Sequence, residues 1–97
     1  MTFVNTATYV CKPGEAEPVL EALTEVAPLS RAESGCIEYR VQRSVEDPHV
    51  FLLYEIYRDR DAFDAHANSE HFDAIVRKRA WPHLKSRTVF RGEPLDI

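Results

Sequence analysis

Val50-Phe51-Leu52-Leu53-Tyr54-Glu55-Ile56-Tyr57 is the stretch that decides the fold. Eight residues dominated by large apolar and aromatic side chains, with Asp47-Pro48 upstream and Asp59 downstream, predict a strand. Alternate side chains of a strand point to opposite faces. One face carries Val50, Leu52, Tyr54 and Ile56; the other sets Phe51, Leu53 and Tyr57 around a single charge, Glu55. A strand apolar on both faces must be covered on both. The chain's own helices supply one cover, and a second copy of the chain is expected to supply the other.

Working outward, Phe3 to Cys11 is a strand rich in Val, Thr and Tyr, with Phe3, Asn5, Ala7, Tyr9 and Cys11 on one face. Lys12-Pro13-Gly14 is a turn. A helix follows from about Glu15, with Val19, Leu20, Leu23 and Ala27 on one stripe. Pro18 is tolerated in its first turn, whereas Pro28 predicts a kink and a short continuation through Leu29 and Ala32 to Ser34-Gly35. Cys36 to Arg43 alternates, predicting Ile37, Tyr39 and Val41 toward the core. Residues 44–49 form a hairpin loop. Asp59 caps a short helix carrying Ala62, Phe63, His66 and Ala67; Ser69 caps a second with Phe72, Ile75, Val76 and Arg79 on one stripe. Trp81-Pro82 closes it, and Thr88 to Arg91 makes a last short strand.

Strand, helix, strand, strand, helix pair, strand is the order of two split strand-helix-strand units. It predicts an α+β, ferredoxin-like domain over residues 1–97: a four-stranded antiparallel sheet with helices on one face and the third strand between the first and second. Two-fold pairing of the uncovered sheet face makes a homodimer the economical assembly.

Composition bounds the function. Ninety-seven residues suit one domain, and 44% hydrophobic content argues against disorder. A formal charge of −4, with no basic cluster beyond Arg77-Lys78-Arg79, argues against nucleic acid as a partner. Neither a charged leader before an apolar run nor a stretch of ~20 apolar residues is visible, so a cytoplasmic protein without membrane association is expected. Cys11 and Cys36 lack CxxC or zinc-finger spacing and fall at opposite ends of the sheet, so they read as two buried thiols.

Among titratable groups, His66 lies on or near the apolar face of its helix, where a neutral imidazole can take a proton from a phenol or enol. A core histidine satisfied by backbone is the competing reading. His71 falls in the first turn of the next helix, where the dipole favours the neutral form; a capping role is the alternative. His49 and His83 read as solvated. Burial of Glu55 would raise its pKa and suit it to proton transfer or to orienting a histidine, while an ion pair with Arg40 or Arg91 of a second copy would also account for it. His66 and His71 are five residues apart across a helix break, and no carboxylate is placed to complete a site, so no metal is expected. Asn5, Tyr39, Tyr54, Phe72 and Trp81 are candidate substrate contacts, although aromatic residues in a small core often only pack. No nucleophile elbow, P-loop or dinucleotide fingerprint is present, which excludes flavin and nicotinamide in their usual folds.

Taken together, Phe51 to Asp59, then Ala62-Phe63-Asp64-Ala65-His66, then Ser69-Glu70-His71-Phe72, resemble the antibiotic biosynthesis monooxygenase family, and Lys12-Pro13-Gly14 and Gly35-Cys36 also fit. The resemblance implies a dimeric α+β barrel with a pocket between sheet and helices. It further implies oxygenation of electron-rich aromatics such as quinols without metal or flavin, and marks His66 as base or polar anchor, followed by Glu55 and His71. Positions matching the haem-degrading branch read Ala7, His66 and Val76, which keeps none of that branch's residues. Ile56 to Asp59 and the tail from Arg87 to Gly92 look about as much like the autoinducer-processing isomerase branch. An isomerase or hydrolase of a small oxygenated metabolite is therefore one alternative, and a small-molecule-binding dimer without catalysis is another.

Overall fold

The computed structural model describes residues 1–97. Strand β1 (Phe3–Cys11) leads through a turn into helix α1 (Ala16–Arg31), then β2 (Cys36–Arg43) and β3 (Val50–Tyr57). Helix α2 (Arg60–Ala67), a π-helix (Phe72–Ala80), a 3-10 turn (Trp81–His83) and β4 (Leu84–Gly92) complete the order. The four strands form one antiparallel sheet in the order β2-β3-β1-β4. This is the ferredoxin-like α+β arrangement, with β3 between β1 and β2 and the helices on one face. No helix is long and apolar enough to cross a membrane.

Strand parity decides what faces the helices. Asn5, Ala7, Tyr9 and Cys11 of β1 and Phe51, Leu53, Glu55 and Tyr57 of β3 are buried beneath them. Helix α1 covers this face with Val19, Ala22, Leu23 and Val26. The opposite face has no helix: Leu52 is 37% exposed and Phe90 68%, and register places Phe90 beside Thr6 and Thr6 beside Tyr54. Both cysteines are free, Cys11 buried and Cys36 half-buried.

Four local expectations are corrected. Helix α1 runs through Pro28 as one element and stops at Arg31, and the residues expected to continue the apolar stripe, Leu29 and Ala32, are exposed. Ile37 is exposed rather than in the core, since the β2–β3 register slips between Cys36 and Glu38 and throws it outward. The last strand begins four residues earlier than Thr88, carried by backbone pairing with β1 where Lys85, Ser86 and Arg87 show no apolar alternation. Arg79 is not on the buried stripe: Ile75, Val76 and Ala80 are, and Arg79 bonds Glu25 of α1 at 2.7 Å.

The ends of α2 set the height of the site above the sheet. Asp59 Oδ1 accepts from the Ala62 amide at 2.8 Å, an N-cap that holds the Asp59 carboxyl below its ordinary pKa. Gly35 passes directly beneath this first turn, where any Cβ would overlap the Ala62 methyl. At Gly14 a φ of 75° meets the turn between β1 and α1.

Candidate active site

Glu55 stands at the centre of β3, opposite Asn5 of β1 and Tyr39 of β2, and is only 3% exposed. Its carboxyl collects three neighbours. The Tyr57 hydroxyl donates to Oε1 at 2.6 Å, Asn5 Nδ2 donates to Oε2 at 3.1 Å, and His66 Nε2 lies 3.7 Å from Oε1. Burial raises the Glu55 pKa; the Tyr57 bond, the nearby His66 and the Asn5 bond oppose that rise without cancelling it. Burial and the adjacent carboxyl push the Tyr57 phenol far up as well, so Tyr57 stays a neutral donor.

His66 reaches the carboxyl from the last turn of α2 and is 2% exposed. Its ring is enclosed by aromatic neighbours, Tyr57 and Phe72 each at 5.2 Å between centroids and Tyr39 at 5.8 Å. On its far side, Nδ1 lies 2.8 Å from Glu33 Oε2, and the same oxygen lies 2.6 Å from His71 Nε2. A carboxylate oxygen only accepts, so both imidazoles donate to Glu33. With Nδ1 committed to Glu33, Nε2 is the ring nitrogen left over, 3.7 Å from Glu55 Oε1 and too far to be bonded to it. The arrangement, carboxylate to Nδ1–H with a free Nε2, is how an imidazole is oriented for proton abstraction.

Above Glu55 and His66 is a partly enclosed cavity of about 90 Å³. Its floor is Asn5, Ala7 and Tyr9; Phe72 and Trp81 wall one side, and Arg77, Arg87 and Arg91 stand at its rim. Trp81 Nε1 donates to the Tyr9 hydroxyl at 3.1 Å, and burial pushes that hydroxyl up to about 12. Ligand pockets usually span several hundred cubic ångströms, so this one suits a single ring rather than a fused system.

Winding of the third helix builds the rim. Ser69 Oγ accepts from the Phe72 amide at 3.2 Å and starts it, as expected. In π geometry the step i to i+5 brings side chains together, and the Arg77 guanidinium sits 4.9 Å from the Phe72 ring centroid.

The structure therefore gathers Glu55, His66, Asn5, Phe72 and Trp81 around one cavity. It does not bring Tyr54 there: Tyr54 lies on the opposite face, opposite Thr6 and Arg40. Tyr39 packs behind His66, with a buried hydroxyl lacking a hydrogen-bond partner, and does not line the cavity. His71 touches the site only through Glu33 and makes no cap bond to its helix. Arg40 pairs with Glu38, and Glu55 has no arginine partner within this chain. His49 and His83 are tied down rather than free: the Gly14 amide donates to His49 Nε2 at 3.2 Å, and His83 Nδ1 lies 2.9 Å from Glu15.

Glu33 overturns the premise that no carboxylate reaches the histidines. It sits just past the end of α1, and the fold delivers it to both rings. Glu33, His66 and His71 each offer one ligand atom, all within 4.8 Å of one another, a two-histidine, one-carboxylate set of the kind that can hold a divalent transition metal. Both nitrogens share one Glu33 oxygen at ordinary hydrogen-bond distance, so protons alone account for the cluster.

Comparisons with known proteins agree with one another. A family model described as antibiotic biosynthesis monooxygenase matches residues 2–78. A Synechocystis protein, sll1783, is 31% identical over 67 residues, 69% of this chain but 46% of its own length. A Bacillus subtilis protein named "Putative monooxygenase YcnE" is 30% identical over 67 residues, 69% of this chain and 70% of its own. The crystal structure of PA3566 from Pseudomonas aeruginosa superposes with a TM-score of 0.89 at 31% identity, covering 97% of this chain and 94% of that one.

Proposed function

This chain belongs to the antibiotic biosynthesis monooxygenase family, and from that premise we propose that it oxygenates a quinol-like, single-ring aromatic using dioxygen and its own side chains. The observation that carries the reading is the line Glu33–His66–Glu55, whose last two members line a partly enclosed cavity. A phenol hydroxyl bound above Glu55 loses its proton to His66 Nε2, while Glu33 holds Nδ1 and stabilises the imidazolium that forms. The phenolate gives one electron to dioxygen, and the two radicals combine on the ring. Dioxygen accepts four electrons in all: two from oxidation of quinol to quinone, two from conversion of a ring C–H to C–OH. One oxygen enters the product and the other leaves as water. The protein contributes a base, orientation and exclusion of solvent.

The same proposal includes a homodimer. The uncovered sheet face, with Leu52, Tyr54 and Phe90 outward, supports a second copy packing there.

Oxygen uptake with a panel of hydroquinones, corrected for autoxidation, tests the chemistry. His66→Ala is expected to lower kcat by about 10²- to 10⁴-fold, and Glu33→Gln to lower kcat more than it changes KM. Oxygen uptake no greater than autoxidation, or His66→Ala equal to wild type, excludes the oxygenase reading. Conversion of substrate without oxygen would instead favour an isomerase.

A further inference from the structure

We infer that the cavity is built for an acidic aromatic: one ring with a hydroxyl directed at Asn5 and Glu55 and an anionic substituent, carboxylate or phosphate, held by Arg87 and Arg91. The inference rests on the cavity proposed above as the reaction site, but not on the reaction. Register sets Arg87 opposite Tyr9, Val89 opposite Ala7 and Arg91 opposite Asn5, so all three face the cavity side of the sheet. Arg87 sits over the Trp81 ring, its Cζ 3.5 Å from the centroid, and Arg91 Cζ lies 5.1 Å from the Phe63 centroid. Stacking on a ring face leaves the N–H edge of a guanidinium free for a planar anion.

Those edges are unclaimed. Arg40, Arg58, Arg60, Arg77 and Arg79 each have an acidic partner within 4.0 Å; of the four that have none, Arg31, Arg43, Arg87 and Arg91, only Arg87 and Arg91 line the cavity. In a chain of net charge −4, three guanidiniums ring a cavity whose one carboxyl, Glu55, is buried at the other end. The second observation lies at that inner end. Asn5 is 6% exposed; its Nδ2 is committed to Glu55, and its Oδ1 is buried without a partner. An orphaned acceptor on a cavity-lining residue asks for a donor, and a ring hydroxyl of the ligand supplies one. Hydroxyl at the floor and anion at the rim leave only the ring to occupy the small cavity between them.

Calorimetric titration without oxygen tests this independently of turnover. The probes are 2,5-dihydroxybenzoate, its neutral amide, and 2,5-dihydroxyphenyl phosphate, against wild type and the double variant Arg87→Gln, Arg91→Gln. Both arginines are exposed, so the variant should retain the wild-type Tm. An acid is expected to bind 10- to 100-fold more tightly than the amide in wild type, to weaken as salt rises, and to lose that advantage in the variant. The tighter of carboxylate and phosphate identifies the group. Equal affinity of acids and amide, a preference surviving in the variant, or no binding of any probe at millimolar concentration overturns the inference. A clear preference for acid with no oxygen uptake refutes the oxygenase reading alone.

Discussion

Replacing Glu55 by Gln should stabilise the protein, and do so only above a definite pH. In wild type the carboxyl is 3% exposed, and its folded-state pKa lies above the ordinary 4.5 because burial outweighs Tyr57, His66 and Asn5. The sign follows from proton linkage. Below pH 4.5 the group is protonated in both states and contributes nothing. As pH rises, the unfolded chain ionises first, the folded state binds more protons, and wild-type stability falls by up to about 1.4 kcal/mol per pH unit. The fall ends once the folded-state pKa is passed, and each unit of elevation adds about 1.4 kcal/mol to the plateau penalty. Glutamine cannot ionise: its carbonyl accepts from Tyr57, and its amide donates to Asn5 Oδ1 once the Asn5 amide has turned over, since Nδ2 faces position 55 in the wild type. Urea denaturation of both proteins from pH 4 to 8, at one protein concentration, gives the difference directly. The variant's advantage should be smallest near pH 4.5 and widen upward, each kcal/mol appearing as roughly 4–8 °C in Tm. Parallel stability curves, or a wild type that gains on the variant as pH rises, would refute the assignment of Glu55 as a carboxyl whose charge is penalised by burial.

Two further outcomes follow from the packing. Gly35→Ala forces a methyl into the Ala62 methyl at the first turn of α2 and should cost about 1–3 kcal/mol in urea denaturation, whereas wild-type stability would show that α2 can lift away freely. Leu52→Glu with Phe90→Glu charges the uncovered sheet face without touching the cavity, so sedimentation should turn a dimer into a folded monomer; an unchanged dimer would place the interface elsewhere.

Where period-two or helical apolar patterning decides an element, it is readable from the chain alone: β3 and β1 stand at their expected bounds, and α1 starts where expected. Where an element is held by its neighbours, it is not. Leu84 to Arg87 forms strand because β1 offers an unpaired edge, not because Lys85, Ser86 and Arg87 favour one. Nor does composition announce that residues 72–80 wind in π geometry, the feature that stacks Arg77 on Phe72.

The site divides along the same line, and the division bears on what each residue does. Glu55 and His66 are conspicuous in sequence because each is a polar intrusion on an apolar stripe, costly to bury unless something repays it. Glu33, Arg87 and Arg91 are inconspicuous because they sit among polar neighbours, on a helix end and on an edge strand. Glu33 meets His66 across 33 positions and His71 across 38. No local period encodes such a meeting; it exists only after α1 and α2 have docked on one sheet face, with Gly35 beneath the first turn of α2. In the proposed mechanism, the buried pair meets the substrate's proton while the three late arrivals orient the base and receive the anion. Arg87 and Arg91 are exposed and hold little of the core, so they can change at small cost in stability, whereas loss of Glu33 would leave the buried His66 Nδ1–H without an acceptor. Substrate choice is therefore expected to reside on β4, and stability on β3.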